Sequence, residues 1–207
     1  SQIDIRMSVA SFDKKKKMVK KAVKQKDVLE SNGCLPETML TLDGDPLTWY
    51  TSWATNLSDE TFQWVFALFE TNMRLMYEKS QWGWDPENKK NELQATTARY
   101  LVLKNDKGKE IAYCHFRIDM DHEYAVIYCY EIQVEKEYQR KGLGSIIMNV
   151  LERLAVKLDM DKIMATVFKY NIRSLNFFRK IGFEEDETNP SYDERDYLIL
   201  SKPVSVL

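Results

Sequence analysis

Glu131 and the turn Gln139-Arg140-Lys141-Gly142-Leu143-Gly144 are the residues of this chain best placed to do chemistry together. Glu131 sits in a strand-like run at 126–134 (VIYCYEIQV), and the turn follows a few residues later. A strongly amphipathic helix comes directly after it. Two glycines between a strand and a helix leave backbone N–H groups free at the helix N-terminus, with little side chain in the way. Such amides bind anions and suit a pyrophosphate. The turn therefore points to a phosphorylated cofactor, and Glu131 supplies an acid beside it where a reaction can occur.

The elements that must position these groups follow from periodicity and punctuation. Residues 13–29 read as a basic helix with a thin apolar stripe at Val19, Ala22 and Val23. Asn32-Gly33 stops it, and Pro36 with Asp43-Gly44-Asp45-Pro46 marks a loop-rich connection. Residues 47–56 (LTWYTSWATN) predict a first strand. Ser58 is placed to cap a helix running through Tyr77, in which Phe62, Val65, Phe66, Phe69, Met73 and Met76 form a core face. Trp82-Gly83-Trp84-Asp85-Pro86 breaks that helix, and residues 86–95 predict a short second one. Strands at 100–104 and 110–119 flank Asn105-Asp106-Lys107-Gly108, a hairpin signal. The next strand spans 124–135. Gly142 opens a helix with one clean stripe of Leu143, Ile146, Ile147, Val150, Leu151, Leu154 and Leu158. A strand at 162–168, a helix at 171–180, a strand after Ile181-Gly182-Phe183 and a last strand at 196–200 complete the order. It predicts an α/β fold, a mixed sheet with helices on both faces.

Composition limits the classes open to the chain. At 207 residues, 44% apolar and 30% charged, it can bury one substantial core. No apolar run is long enough to span a bilayer, so no membrane partner is expected. Cys34, Cys114 and Cys129 are odd in number and show no C-x-x-C spacing, which favours a reducing compartment, cytoplasm or nucleus. His115 and His122 are the only histidines, so neither a metal site nor a histidine-based triad is expected. Residues 13–27 hold eight Lys and two Asp, a local charge of +6, against 22 basic and 30 acidic residues elsewhere. The acidic remainder either steers a basic substrate or is an ordinary soluble surface.

Three features in order resemble the GNAT superfamily of N-acetyltransferases. They are the Gln139-x-x-Gly142-x-Gly144 turn after a long strand, the strand-to-helix passage Thr166-Val167-Phe168-Lys169-Tyr170-Asn171, and Leu175-Asn176-Phe177-Phe178-Arg179-Lys180-Ile181-Gly182-Phe183. The words Thr71-Asn72-Met73-x-x-Met76-Tyr77-Glu78-x-Ser80-x-Trp82-Gly83-Trp84, His115-Phe116-Arg117-x-Asp119 and Tyr128-Cys129-Tyr130-Glu131-x-Gln133 are similar to the narrower NatD family of histone-selective N-terminal acetyltransferases. The likeness covers roughly residues 55–202. It implies a GNAT fold, with a mostly antiparallel central sheet flanked by helices. The expected division is a basic N-terminal helical extension at 1–45, an acetyltransferase domain at 46–202 and a tail at 203–207.

The resemblance also implies roles. Acetyl-CoA would lie where two parallel strands splay, its pantetheine along Ile132-Gln133-Val134. The pyrophosphate would rest on the turn of Gln139, Arg140, Lys141, Gly142, Leu143, Gly144 and Ser145. Asn171 and Ser174 would add contacts, unless Asn171 simply caps its helix. Glu131 would be the general base and the Val134 N–H an oxyanion donor. Tyr130 and Glu131 face opposite ways on a regular strand, so sharing a pocket requires a bulge; otherwise Tyr130 is a packed core aromatic. Phe178 occupies the position where the superfamily often has a tyrosine as general acid. Tyr197 is then the candidate for proton transfer or substrate contact, or an ordinary strand residue.

For the acceptor, the NatD likeness implies the α-amine of the histone H4 and histone 2A tails, which begin Ser-Gly-Arg-Gly. Tyr77 and Trp82 would wall the first residue, with Tyr128, Tyr130 and Tyr197 nearby and Thr166 bonding the peptide backbone. Asp119 would pair with the tail's arginine, or else be a solvated strand-end acid. An α-amine, with a pKa of about 8, is easier to deprotonate at neutral pH than a lysine at roughly 10.4, by about 3 kcal/mol. A modest base suffices for it. The competing readings are an acetyltransferase for lysines or small amines, and an acetyl-CoA-binding module whose lysine helix docks to nucleic acid or the ribosome. The expected protein is a monomer with possible ribosome or nucleosome contact and no metal.

Overall fold

A computed structural model describes residues 2–190 and 195–204, with side-chain surroundings from residue 11 onward. Residues 205–207 of the expected tail lie outside the described residues, and Pro203 ends a strand. The strands are β1 (Met39–Leu40), β2 (Pro46–Trp53), β3 (Arg99–Lys104), β4 (Glu110–Asp121), β5 (Tyr124–Val134), β6 (Lys162–Phe168), β7 (Glu184–Glu185) and β8 (Tyr197–Pro203). They form one sheet in the order β1-β2-β3-β4-β5-β6-β8-β7. Every neighbouring pair is antiparallel except β5 and β6. This is the expected mixed, mostly antiparallel GNAT sheet.

Helices cover both faces. On one lie α1 (Gln2–Val23), α2 (Val28–Ser31), α5 (Leu143–Lys157) and α6 (Ile172–Lys180), packed on Leu101, Leu103, Phe116, Ile127 and Ile163. The stripe of α5 is buried there through Leu143, Ile147, Val150, Leu151 and Leu154, which removes a whole apolar face from water. On the other face α3 (Asp59–Lys79) and α4 (Pro86–Leu93) bury Val65, Leu68 and Leu93 against Tyr100, Val102 and Tyr113. Ser58 caps α3 as its sequence predicts, its hydroxyl accepting from the Thr61 amide at 3.1 Å.

The N-terminal segment differs from the single helix expected at 13–29. The chain leaves helix after Val23 and resumes at Val28, where Asp27 caps α2. The cause is Arg99, which sequence reasoning did not single out. Its guanidinium Nη2 donates to the carbonyls of Ala22 (3.3 Å), Val23 (2.9 Å) and Gln25 (2.8 Å), collecting oxygens that a helix end leaves unpaired. Val19 and Ala22 are buried beneath, so the lysine-rich helix is fixed to the sheet. Three further boundaries shift. The Leu40 region forms the short β1 inside the expected loop, residues 54–56 are a 3-10 turn rather than strand, and β8 runs on to Pro203.

Two irregularities around β5 create the site. Its parallel pairing with β6 runs from Val126–Lys162 to Cys129–Ala165 and then stops. Beyond that, β5 follows β4 while β6 follows β8, so a wedge opens between them. In the β4–β5 ladder His115 faces Glu131 and Phe116 faces Cys129, which leaves Tyr130 as the extra residue of a β-bulge.

Candidate active site

The wedge is the inner end of a cleft of about 1350 Å³ bounded by β5, β6, α3, α4 and the N-termini of α5 and α6. The bulge brings Tyr130 and Glu131 to this one cavity, which a regular strand would not do. Ladder alternation turns backbone groups into it as well. Glu135 donates its amide to the Ile111 carbonyl at 2.9 Å, so the Val134 amide one residue earlier points the other way, toward the open wedge. The Val134 carbonyl faces that side too and accepts from Asn72 Nδ2 (3.3 Å) and Gln139 Nε2 (3.1 Å).

The glycine turn closes the opposite end. Arg140 (φ +63°) and Gly142 (φ +84°) both adopt left-handed backbone, which folds the chain back before α5. The first intrahelical bond runs from the Ile146 amide to the Gly142 carbonyl at 3.1 Å, so the amides of Leu143, Gly144 and Ser145 have no helical acceptor. A Cβ on Gly144 would lie 3.1 Å from the Phe177 ring, and one on Gly142 would lie 3.0 Å from Leu42. Gln139, Arg140, Gly142, Leu143, Gly144 and Ser145 line the cleft, as do Ile132, Gln133, Val134, Asn171 and Ser174. Lys141 does not; its ammonium turns back to Asp43 at 3.0 Å. Asn171 caps α6 by accepting from the Ser174 amide at 3.3 Å while still facing the cleft.

At the centre, Glu131 is only 8% exposed and carries a partner that sequence reasoning missed. Lys89, 7% exposed, places its ammonium 2.5 Å from Glu131 Oε1 and 2.6 Å from Glu92 Oε2, over the rings of Phe69 and Tyr77. The second Glu131 oxygen accepts from Gln133 Nε2 at 2.8 Å, and Gln133 Oε1 accepts from Asn72 at 3.0 Å. Burial raises the Glu131 pKa above the usual carboxylate value, with Lys89 pulling against it. Burial also works against the Lys89 charge, but Glu131, with Tyr77 and Glu92, outweighs it and holds that pKa above a normal lysine's. The one hint in the sequence was spacing: Lys89 and Leu93 are four apart on α4, so they share its buried face.

Aromatic residues wall the rest. Tyr77 meets Phe168 edge-on at 5.0 Å, and Trp82 stacks on Tyr197 at 4.8 Å while remaining 51% exposed. The Gln81 amide donates to Asp196 at 2.8 Å, fastening the connection after α3 to the start of β8. The hydroxyls of Tyr128 and Thr166 hydrogen-bond across the β5–β6 pair. Arg195 donates to the Tyr197 hydroxyl at 2.7 Å. Arg117, also unforeseen, lies 4.2 Å over the Tyr130 ring and donates to His115 Nε2 at 3.1 Å. Burial, with Arg117 and Lys89 nearby, holds His115 neutral. Tyr77, Trp82, Tyr128, Tyr130, Thr166 and Tyr197 all line the cleft. Asp119 does not: it is exposed on β4, on the face shared with His115 and Arg117, and accepts from the Met120 amide at 2.8 Å. Phe178 packs edge-on against Phe183 in the core.

The family model described as acetyltransferase (GNAT) family matches residues 56–183. Among curated proteins, a 55-residue stretch is 29% identical to L-ornithine N5-acetyltransferase NATA1 of Arabidopsis thaliana; it spans 27% of this chain and only 24% of that protein. Among solved structures, the ribosomal-protein-S18-alanine N-acetyltransferase of Escherichia coli superposes with a TM-score of 0.53 at 18% identity, covering 77% of this chain and 96% of that one. Arabidopsis thaliana Naa50, in complex with the bisubstrate analogue CoA-Ac-MVNAL, gives a TM-score of 0.52 at 16% identity, covering 75% and 97%. At these identities the structures share the fold.

Proposed function

The chain belongs to the acetyltransferase (GNAT) family, an acetyl-CoA-dependent class of transferases, and from that premise we propose that its acceptor is the α-amino group of a polypeptide. The more specific form of the proposal is the N-terminal serine of histone H4 and histone 2A tails. The observation that carries it is the bulge at Tyr130, which presents Tyr130 and Glu131 together at the wedge, opposite the aromatic wall of Tyr77, Trp82 and Tyr197. A wall of this kind accommodates a chain end with a small first residue. The superposition on Naa50 bound to a peptide-containing analogue supports a peptide acceptor.

In this reading the pantetheine of acetyl-CoA extends along the free edge of Ile132-Gln133-Val134. Its pyrophosphate meets the amides of Leu143, Gly144 and Ser145, which have no acceptor within the helix. The neutral amine attacks the thioester carbonyl, the oxyanion forms beside the Val134 N–H, and the C–S bond breaks to release CoA. Glu131 accepts the amine's proton, directly or through one water. Its raised pKa brings it nearer the operating pH, which suits a general base. Tyr197 serves as substrate contact or proton donor to the thiolate. Thr166 and Tyr128 face the peptide backbone. Asp119, exposed on β4 and not among the residues lining the cleft, would pair with the arginine at the third position of the tail.

Two broader readings rest on observations of their own. The match to an ornithine acetyltransferase favours a small amine or a lysine as acceptor. Seven of the eight lysines between residues 14 and 26 are exposed, five on α1 and Lys24 and Lys26 in the connection after it, while Lys15 pairs with Asp161 at 3.0 Å. That basic face supports contact with a ribosome or nucleosome. The cytoplasm and nucleus are the compartments such partners imply. One experiment separates the acceptors: the protein, acetyl-CoA and a Ser-Gly-Arg-Gly-Lys peptide, with mass spectrometry to locate the acetyl group. Modification at the α-amine is expected. Lysine-only modification, or equal rates on Met-initiated peptides, would sink the proposal.

A further inference from the structure

We propose that Lys89 is a positioning residue that fixes Glu131 as an oriented carboxylate at the wedge, and that Glu92 sets how strongly it does so. The inference rests on the reading of Glu131 as the general base. A lysine is seldom buried, because its charge loses water that only close partners can replace. Here the partners are two carboxylates and two ring faces: Glu131 at 2.5 Å, Glu92 at 2.6 Å, Phe69 at 4.4 Å and Tyr77 at 5.6 Å. Glu131 is held from two helices at once. One oxygen is bound by Lys89 of α4, and the other by Gln133, itself bound to Asn72 of α3. The carboxylate therefore cannot rotate without breaking a buried contact.

The groups facing this pair leave little else to set its charge. They are Tyr77 from α3, Glu92 from α4, Tyr100 from β3, Tyr113, Cys114, His115 and Arg117 from β4, and Tyr130 from β5. Burial keeps the tyrosines, Cys114 and His115 uncharged. Among the described residues the remaining charges are Lys89 and Arg117 against Glu92 and Glu131, and Arg117 is committed to His115 and to the Glu92 carbonyl. Lys89 is thus the cation in contact with Glu131, and Glu92 competes for it.

The test is the pH profile of turnover with a Ser-Gly-Arg-Gly-Lys peptide in Lys89→Met, Lys89→Arg, Glu92→Gln and Glu131→Gln. The peptide's own amine titrates identically throughout, so any shift between variants belongs to the enzyme. Removing Lys89 should move the acid limb up by about one pH unit or more, since an opposite charge this close lowers a carboxyl pKa by roughly 1–3 units. Lys89→Arg should restore most of that shift. Glu92→Gln removes the competing acid, so the limb should move down. Glu92 lies at the edge of the cluster, so this variant carries the test if Lys89→Met does not fold. Unmoved limbs in Lys89→Met and Glu92→Gln, with Glu131→Gln inactive, overturn the role of Lys89 alone. Wild-type turnover in Glu131→Gln overturns the base itself, and the inference with it.

Discussion

Trp82 stacks on Tyr197 with ring centroids 4.8 Å apart and planes 25° from parallel, joining the connection after α3 to the first residue of β8. Beside it the Gln81 amide donates to Asp196, so the link is held by a hydrogen bond as well as a ring contact. One side of the proposed acceptor pocket is therefore built from two segments remote in the chain. Trp82→Ala should remove one wall without disturbing the core. If the substrate's contact with this wall is worth as much as an aromatic pair, about 0.5–1.5 kcal/mol, peptide kcat/KM should fall by about 2- to 13-fold. Acetyl-CoA affinity, measured by calorimetry, should be unchanged; an equal loss for cofactor and peptide would place Trp82 elsewhere in the mechanism.

Gly144→Ala should weaken acetyl-CoA binding more than it weakens the fold. Its Cβ would meet the Phe177 ring at 3.1 Å, a contact the ring must yield to, at the amides proposed to hold the pyrophosphate. Gly142→Ala adds backbone strain at φ +84° and should cost about 1 kcal/mol of stability as well. Calorimetric titration with CoA and thermal melts separate the two effects.

Arg99→Met should loosen α1. Burial lowers the Arg99 pKa to about 10, with Asp27 opposing it, so the guanidinium remains charged at neutral pH while serving three carbonyls. Losing charged hydrogen bonds of this kind costs about 2–3 kcal/mol. Hydrogen exchange should accelerate along α1 and α2, with little change in the strands at the wedge. Protection that stays uniform would show that Val19 and Ala22 alone hold the helix.

The ion pair between Lys162 and Asp186, at 2.6 Å, should give the protein a defined acid sensitivity. Burial works against the Asp186 charge, but Lys162 and the Thr188 and Ser201 bonds outweigh it, holding its folded pKa below the usual carboxylate range. The unfolded chain then binds the proton more readily. The contribution is fully present above the unfolded value of about 3.9 and disappears as pH falls through the folded one. Asp186→Asn should cost about 3 kcal/mol near neutrality, leaving Lys162 buried and unpaired, and the difference in melting temperature should shrink toward low pH.

Much of the fold was legible because its signals are local. The α5 stripe, the Ser58 cap and the Asn105–Gly108 turn each act within a few residues, and each lies where its pattern puts it. The break after Val23 was not legible, because its cause is Arg99, far along the chain. The turn at 139–144 announced itself by its glycines, yet nothing in it showed that Lys141 would turn back to Asp43. Lys89 was hidden for a different reason. On a short polar helix a lysine reads as solvated, and only the fold shows that Glu131 waits across the cleft. Asp119 stood in a recognisable word, His115-Phe116-Arg117-x-Asp119, but a word does not fix how far a side chain lies from a cleft.

The parallel pairing of β5 and β6, joined by α5 and followed directly by α6, makes the half proposed to hold acetyl-CoA one unbroken piece of chain from Tyr124 to Ser174. The half proposed to hold the acceptor has no such continuity: Tyr77 and Trp82 come from the end of α3 and the connection after it, and Tyr197 from the start of β8. The two halves can therefore change at different speeds. An insertion or substitution in the short connection between α3 and α4 would reshape the acceptor while leaving the donor's seat untouched, so new acceptors can be acquired without relearning how to carry the acetyl group.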